Sequence, residues 1–216
     1  MDTFFHENFI ENQQIILNKD ESFHLTVVLR KQAGQAVALI DGNGKMATAD
    51  IMIADKNGSM LRILTIAETA QVNFHTLAIA PTKNIDRFEY FVEKAVEVGI
   101  HSIIPMFTKN TERKIINEER LKKIILSAAK QSKDYFIPSL SPIQKFENII
   151  QSNEYDQKLL AACKGDTKPF REIYSPRKKS IIFVGPEGDF TDQEMELAKM
   201  HHVQFVSLGE IGRAHV

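Results

Sequence analysis

Ile181-Ile182-Phe183-Val184-Gly185-Pro186-Glu187-Gly188-Asp189-Phe190-Thr191 is an apolar run that breaks into Gly-Pro-Glu-Gly and then opens a helix. Thr191 with Glu194 three residues on is a capping-box signature, so the helix start is well marked. A buried strand ending in a glycine loop at a helix N-terminus is where α/β proteins take nucleotide-like ligands. Glycine lets a ligand approach the backbone amides closely. An ordinary strand-to-helix turn fits the same residues, and both readings stand at this point. The loop is neither a GxGxxG fingerprint nor a P-loop carrying Gly-Lys-Ser/Thr.

Upstream of it, apolar strands alternate with amphipathic helices from Leu77 onward, the pattern of a parallel α/β sheet. Strands are predicted at 77–81, 100–107, 158–163 and 203–208, besides the one entering at Ile181 from the basic turn Arg177-Lys178-Lys179. Helices are predicted at 86–98, 117–133 and 144–151. In the first of these, Phe88, Phe91, Val92, Ala95 and Val96 fall on one face, with Gly99 as its C′ residue. Leu121, Ile124, Ile125, Ala128 and Ala129 form the buried stripe of the second. Residues 1–70 instead read as β-rich, with strands at 14–17, 36–41, 45–54 and 59–67 punctuated by Gly42-Asn43-Gly44 and Lys56-Asn57-Gly58. A helical start at 20–29 has Asp20 or Ser22 as its cap. Several short strands with Asn/Gly turns suggest a small barrel. The polar stretch 68–73 is a linker between two composition regimes.

The 216 residues suit one large domain or two small ones, and 43% apolar with 25% charged content is ordinary for a globular chain. Net charge is -1, so any nucleic-acid footprint must come from local clustering. Lys109, Arg113 and Lys114 make one such cluster, just before a helix carrying Arg120, Lys122, Lys123, Lys130 and Lys133. Such cations neutralise phosphates or form a solvated face. Arg30 and Lys31 pose the same choice. The single Cys163, in an apolar run, reads as a buried thiol and excludes an internal disulfide. No His/Cys/Asp group has metal spacing, and His201 and His202 read as surface residues. No apolar stretch is long enough to span a membrane and the N-terminus is not a signal peptide, so a cytoplasmic location is expected.

Val184-Gly185-Pro186-Glu187-Gly188-Asp189-Phe190-Thr191, followed by Val206-Ser207-Leu208-Gly209, resembles the cofactor-binding end of the SPOUT RNA methyltransferases. More narrowly it is similar to the ribosomal RNA small subunit methyltransferase E family, which methylates N3 of a uridine in 16S rRNA. Lys83-Asn84-Ile85-Asp86-Arg87-Phe88-Glu89, continuing to Glu93-Lys94-Ala95-Val96-Glu97-Val98-Gly99-Ile100, strengthens the match. So does Ser127-Ala128-Ala129-Lys130-Gln131-Ser132, running on to Pro138. The similarity covers about residues 24–209. The resemblance implies a PUA-like β-barrel that helps hold RNA at 1–70 and a SPOUT α/β domain of the trefoil-knot type at 71–209. It implies S-adenosylmethionine as cofactor, with Gly185, Pro186, Glu187, Gly188, Leu208 and Gly209 lining its pocket. Arg30, Lys31, Lys83, Arg87, Arg113 and Lys114 are the implied RNA-side cations. Glu97 occupies the family's acidic position near the helix end, or serves only in a salt bridge. The implied partners are 16S rRNA in the small ribosomal subunit and a second copy of the chain, with no metal and no membrane. No residue is assigned as catalytic base.

Two departures from the family pattern qualify the resemblance. Relatives carry an Arg after Gln131-Ser132 where this chain has Lys133-Asp134, a point charge in place of a bidentate fork. After Leu208-Gly209 the family runs into an Arg-rich loop and a last helix, whereas Glu210-Ile211-Gly212-Arg213-Ala214-His215-Val216 matches nothing there. Residues 210–216 are therefore read as a non-native tail rather than a divergent terminus, with the knot segment missing. Three functional readings follow: the uridine-N3 methyltransferase, a non-catalytic RNA-binding protein with a degenerate SPOUT domain, and a SPOUT enzyme acting on another RNA.

Overall fold

The Asn/Gly turns of the first seventy residues do join strands, of five residues before the first turn and nine on either side of the second. A computed structural model describes residues 1–162, 166–176 and 178–209. The expected buried Cys163, Arg177 of the basic turn and the tail at 210–216 lie outside the described residues. Two units divide the chain, Met1–Gln71 with Leu126–Ile137, and Val72–Ile125 with Pro138–Val216.

The first unit holds β1 (Thr3–Phe5), β2 (Gln14–Ile16), α1 (Lys19–Phe23), a π-helical turn (His24–Val28), β3 (Ala36–Ile40), β4 (Lys45–Ile53) and β5 (Met60–Glu68). They form a curled five-stranded sheet in the order β1-β3-β4-β5-β2, antiparallel except for the β1–β3 pair. In β4 every second residue, Ala47, Ala49 and Ile51, turns inward onto Phe4, Leu25, Leu39 and Leu61. A register shift between Thr48 and Ala49 in the β4–β5 ladder adds the local twist that curls the sheet. The β3–β4 turn is set by Asp41, whose Oδ1 accepts the N–H groups of Asn43 at 2.7 Å and Lys45 at 2.9 Å. Gly42 and Gly44 both have positive φ there, and a Cβ on Gly44 would sit 2.7 Å from the Thr69 carbonyl. The cap of α1 is a correction: Asn18, not Asp20 or Ser22, accepts the Glu21 N–H at 2.9 Å. Ser22 is buried and donates to the Leu17 carbonyl instead. Segment 126–137 belongs to this unit through a Phe136–Asn43 bridge and a 2.6 Å ion pair between Lys130 and the buried Glu21.

The second unit begins with β6 (His75–Ile79), α2 (Ile85–Glu97), β7 (Ser102–Phe107) and α3 (Glu118–Ser132), whose last turns lie in the first unit. β8 (Ser139–Leu140), β9 (Gln144–Lys145), α4 (Phe146–Ile150), β10 (Gln157–Ala161), β11 (Lys168–Pro169), α5 (Phe170–Ile173), β12 (Ser180–Val184), α6 (Asp192–Met200) and β13 (Gln204–Ser207) complete it. The strands order as β11-β13-β10-β12-β6-β7-β8, with β9 beside β7, and all pairs are parallel. β6 and β12 are central, and both faces of the sheet must be covered, which is why their sequences are continuous apolar runs rather than alternating ones. Phe183 packs edge-on to Phe146, which packs on Phe190, at centroid distances of 5.4 Å and 5.1 Å.

Asn84 caps α2 and Gly99, at φ +83°, follows its C-cap as expected. Phe88, Val92, Ala95 and Val96 are buried, but Phe91 is 39% exposed, off the face assigned to it. The helix predicted at 144–151 is corrected to a strand pair at Gln144–Lys145 followed by a short helix from Phe146. The capping box of α6 is present in full, Thr191 and Glu194 reciprocating.

Candidate cofactor and nucleic-acid site

In a parallel sheet all the carboxyl ends lie on one side, and here they present the loops at 80–84, 108–114, 185–191 and 208–209. The chain leaves β6 toward β7 but leaves β12 the other way, across β10 to β13. Connections that diverge from adjacent strands open a crevice between them, the usual place for a ligand in such sheets. Glu187 and Lys83 face each other across it, the Lys83 N–H donating to Glu187 Oε1 at 3.1 Å. The Lys83 carbonyl accepts from Arg113 Nη2 at 3.0 Å, so one peptide residue joins three loops.

The Gly185–Asp189 turn is fixed by its own surroundings. The Asp189 N–H donates to the Pro186 carbonyl at 2.9 Å, and Asp189 takes φ +57°. Asn110 Nδ2 donates to the Gly188 and Asp189 carbonyls, both at 3.0 Å. A Cβ on Gly185 would stand 2.8 Å from Phe190, and one on Gly188 3.2 Å from Asn110. Protein side chains, Phe190 and Asn110, thus fill the Cβ side of these two glycines. Pro186 is buried, while Glu187 and Gly188 are exposed at the mouth of the crevice.

Leu208 and Gly209 behave otherwise. Gly209 has φ +97° and nothing within 4 Å of a built Cβ, and Leu208 is 58% exposed. With Pro169, Phe170, Arg171 and Ser207 they line a groove of about 450 Å³. Apolar Leu208 and Phe170 suit the face of a purine, and Arg171 suits a carboxylate or ribose oxygen. The donor set therefore fits an adenosyl amino acid such as S-adenosylmethionine. β10 alone separates β12 from β13, so this groove and the 185–189 turn are two interstrand steps apart, roughly 10 Å.

Of the six expected RNA-side cations, the second unit brings three together. Lys83, Arg113 and Lys114 line an open groove of about 460 Å³ with Glu112 and Ile115, three cations against one carboxylate. Lys83 Nζ meets Glu112 at 3.2 Å with both side chains well exposed, and Lys114 sits 5.7 Å over the Phe107 ring. Arg113 Nε is buried without a hydrogen-bond partner. Arg87 is exposed in the first turn of α2 and does not line the groove. In the first unit, Arg30 is exposed in the left-handed region at φ +53°. Lys31 is engaged with Asp2 at 2.8 Å, whose carboxyl it holds below the usual range by hydrogen bonding. Glu97 pairs with Lys94 at 2.7 Å, the salt-bridge role. Among the described residues no group of His, Cys, Asp and Glu is placed to hold a metal, and no helix is long and apolar enough to cross a membrane.

Sequence reasoning missed Asn110, which had no motif to announce it, and His75. At the opposite end of the sheet His75 Nδ1 lies 2.8 Å from Ser180 Oγ and Nε2 2.7 Å from the Tyr174 hydroxyl. Burial, with a smaller contribution from His101, pushes its pKa below 6.5. Tyr174 in turn stacks on Phe170 of the 450 Å³ groove at 4.9 Å.

The family model for an RNA methyltransferase domain matches residues 70–211, and that for an RNA methyltransferase PUA domain matches 17–64. A ribosomal RNA small subunit methyltransferase E from Rickettsia conorii is 27% identical over 211 residues, covering 95% of this chain and 86% of that protein. The crystal structure of a ribosomal RNA small subunit methyltransferase E from Neisseria gonorrhoeae bound to S-adenosyl methionine superposes with a TM-score of 0.87 at 26% identity, covering 97% of this chain and 90% of the other. A probable rRNA-methyltransferase from Porphyromonas gingivalis superposes at 0.86 with 30% identity over the same shares.

Proposed function

The chain belongs to the ribosomal RNA small subunit methyltransferase E family, and from that premise we propose that it methylates N3 of one uridine in 16S rRNA. It is an S-adenosylmethionine-dependent methyltransferase of small-subunit ribosomal RNA. The observation that carries the proposal is the order of grooves along the carboxyl edge of the sheet. The Leu208–Gly209 groove, the 185–189 turn and the cationic Lys83–Arg113–Lys114 groove succeed one another across β13, β12, β6 and β7. A nucleoside-sized groove beside a phosphate-binding one is what a methyl transfer to RNA needs.

The cofactor supplies an electrophilic methyl on a sulfonium. Leu208, Gly209, Phe170 and Arg171 hold and orient it, and the turn at Gly185, Pro186, Glu187 and Gly188 closes the neighbouring wall. N3 of uridine is a weak acid, so its proton would pass to solvent water as N3 took the methyl and the sulfonium became a neutral thioether. Lys83, Arg113 and Lys114 hold the backbone phosphates that fix the base in line, and positioning supplies much of the rate. Residues 1–70, with Arg30 exposed, act as the PUA-like domain that grips RNA further along, and 71–209 as the catalytic domain.

The enzyme works in the cytoplasm as a homodimer. Tyr90 and Phe91 of α2 and Val98 just beyond it are apolar side chains at 63%, 39% and 82% exposure, and they support self-association.

Isotopically labelled S-adenosylmethionine offered with small ribosomal subunits and, separately, with tRNA tests the reading. A methyl on N3 blocks Watson–Crick pairing, so primer extension should halt at a single uridine of 16S rRNA. Label found only in tRNA, or on ribose with no halt, would sink the proposal. RNA binding with no label anywhere would leave the non-catalytic reading.

A further inference from the structure

We propose that Asn110 is a positioning residue: by donating to the Gly188 and Asp189 carbonyls it fixes the turn beside the cofactor groove, and through it loading of the cationic groove tightens cofactor binding. The inference rests on the methyltransferase reading above. Both hydrogens of one side-chain amide are used, each 3.0 Å from a carbonyl oxygen. Since both neighbours are acceptors, the nitrogen and not the oxygen must face the turn. The turn is also braced by the Asp189 N–H to Pro186 carbonyl bond, by the Phe190 N–H donating to Asp189 Oδ1 at 2.9 Å and by the Lys83 N–H on Glu187, around a non-glycine residue in the left-handed region.

Asn110 is itself anchored within a stiff segment. The Thr108 N–H donates to Thr111 Oγ1 at 2.9 Å, their hydroxyls lie 3.1 Å apart, and both residues are 3% exposed. The Lys109 N–H donates to Glu194 at 2.8 Å. Two residues beyond Asn110 the same segment becomes the wall of the cationic groove, at Glu112, Arg113 and Lys114. Arg113 also grips the Lys83 carbonyl, and the Lys83 N–H grips Glu187. A phosphate drawn to the Lys83, Arg113 and Lys114 side chains of the open groove therefore loads a stiff segment whose near end is pinned to the 188–189 carbonyls. Binding at one groove then biases the other, and the bias is reciprocal.

The test measures S-adenosylmethionine affinity by calorimetry, alone and with a saturating single-stranded RNA oligonucleotide, on the wild-type chain, Asn110→Asp and Asn110→Ala. Aspartate keeps the shape but has no hydrogen to donate. Amide hydrogen exchange at 185–190 is followed in parallel. RNA is expected to tighten wild-type cofactor binding by about 5-fold or more, the low end of such couplings. In both variants that ratio should collapse to near 1, with exchange at 185–190 about 10-fold faster. An equal ratio in wild type and variants, or no ratio in wild type, overturns the role of Asn110 while methyl transfer still stands. A wild-type chain that neither binds cofactor nor transfers methyl overturns the methyltransferase reading, and this proposal with it.

Discussion

Glu194 and Lys109, 85 residues apart in sequence, are joined by a 2.8 Å hydrogen bond from the Lys109 backbone N–H to Glu194 Oε1. The other carboxylate oxygen takes the Thr191 N–H and hydroxyl, each at 2.8 Å, so one buried carboxylate both caps α6 and anchors the loop after β7. Glu194→Ala leaves these donors without acceptors and should cost about 2–4 kcal/mol, the sum of a lost cap and unsatisfied buried groups. At a few degrees per kcal/mol in a chain this long, the thermal midpoint should fall by roughly 5–15 °C. Glu194→Gln keeps an acceptor and should lose less than half of that. Equal midpoints for the two variants would contradict the dual role.

Gly185→Ala places a methyl 2.8 Å from Phe190, whose ring is held against Phe146. Neither ring has room to retreat, so overpacking should cost about 1–3 kcal/mol in chemical denaturation. A smaller side chain at Phe190 gives the methyl space. The double variant Gly185→Ala with Phe190→Leu should therefore be less destabilised than the sum of its singles, and strict additivity would place the Gly185 constraint elsewhere.

Removing Lys83, Arg113 or Lys114 should weaken RNA binding much alike for all sequences, since phosphate contacts carry no base identity. Each lost contact should lower the slope of log affinity against log salt by about 0.7. Lys31→Ala should move that slope less, because Lys31 already spends its charge on Asp2. A full decrement from Lys31 would show that the Asp2 pair opens for RNA.

His75 and His101 both have pKa values pushed below 6.5, burial being the larger cause in each. Their folded state thus binds fewer protons than the unfolded chain just below pH 6.5. Stability is complete above that value and declines as pH falls from 6.5 toward the folded pKa values. Unfolding midpoints should drop between pH 8 and 5.5, and His75→Gln should flatten that dependence. An unchanged slope in the variant would assign the loss to other groups.

The architecture was largely legible because it is written in periodicity. The continuous apolar runs at 77–81 and 181–184 announce buried parallel strands, and Ala47, Ala49 and Ile51 announce a one-sided sheet. The short elements were not, since β1, β8, β11 and α5 have two to four residues, too few for a period. Residues 144–151 misled for the same reason: Phe146, Ile149 and Ile150 carry a helical spacing that says nothing of where the helix starts. In the site, Arg113 and Lys114 could be found by charge clustering and Lys83 by the resemblance, and their convergence came from topology. Asn110 could not be found, because a lone Asn in a polar loop acquires meaning only from the two carbonyls opposite it.

β12 stands between β6 and β10, so the strand that completes one side of β6 arrives 105 residues later, as His75 and Ser180 show. The first unit has to wait as well, for Leu126–Ile137. At roughly 5–20 residues per second of synthesis, β6 is left with an open apolar edge for about 5–20 s. Long-range parallel pairing of this kind is also slow to form once all its parts exist. The chain therefore emerges from the ribosome with its central strand unprotected, and its yield in the cell should depend on how well that interval is chaperoned.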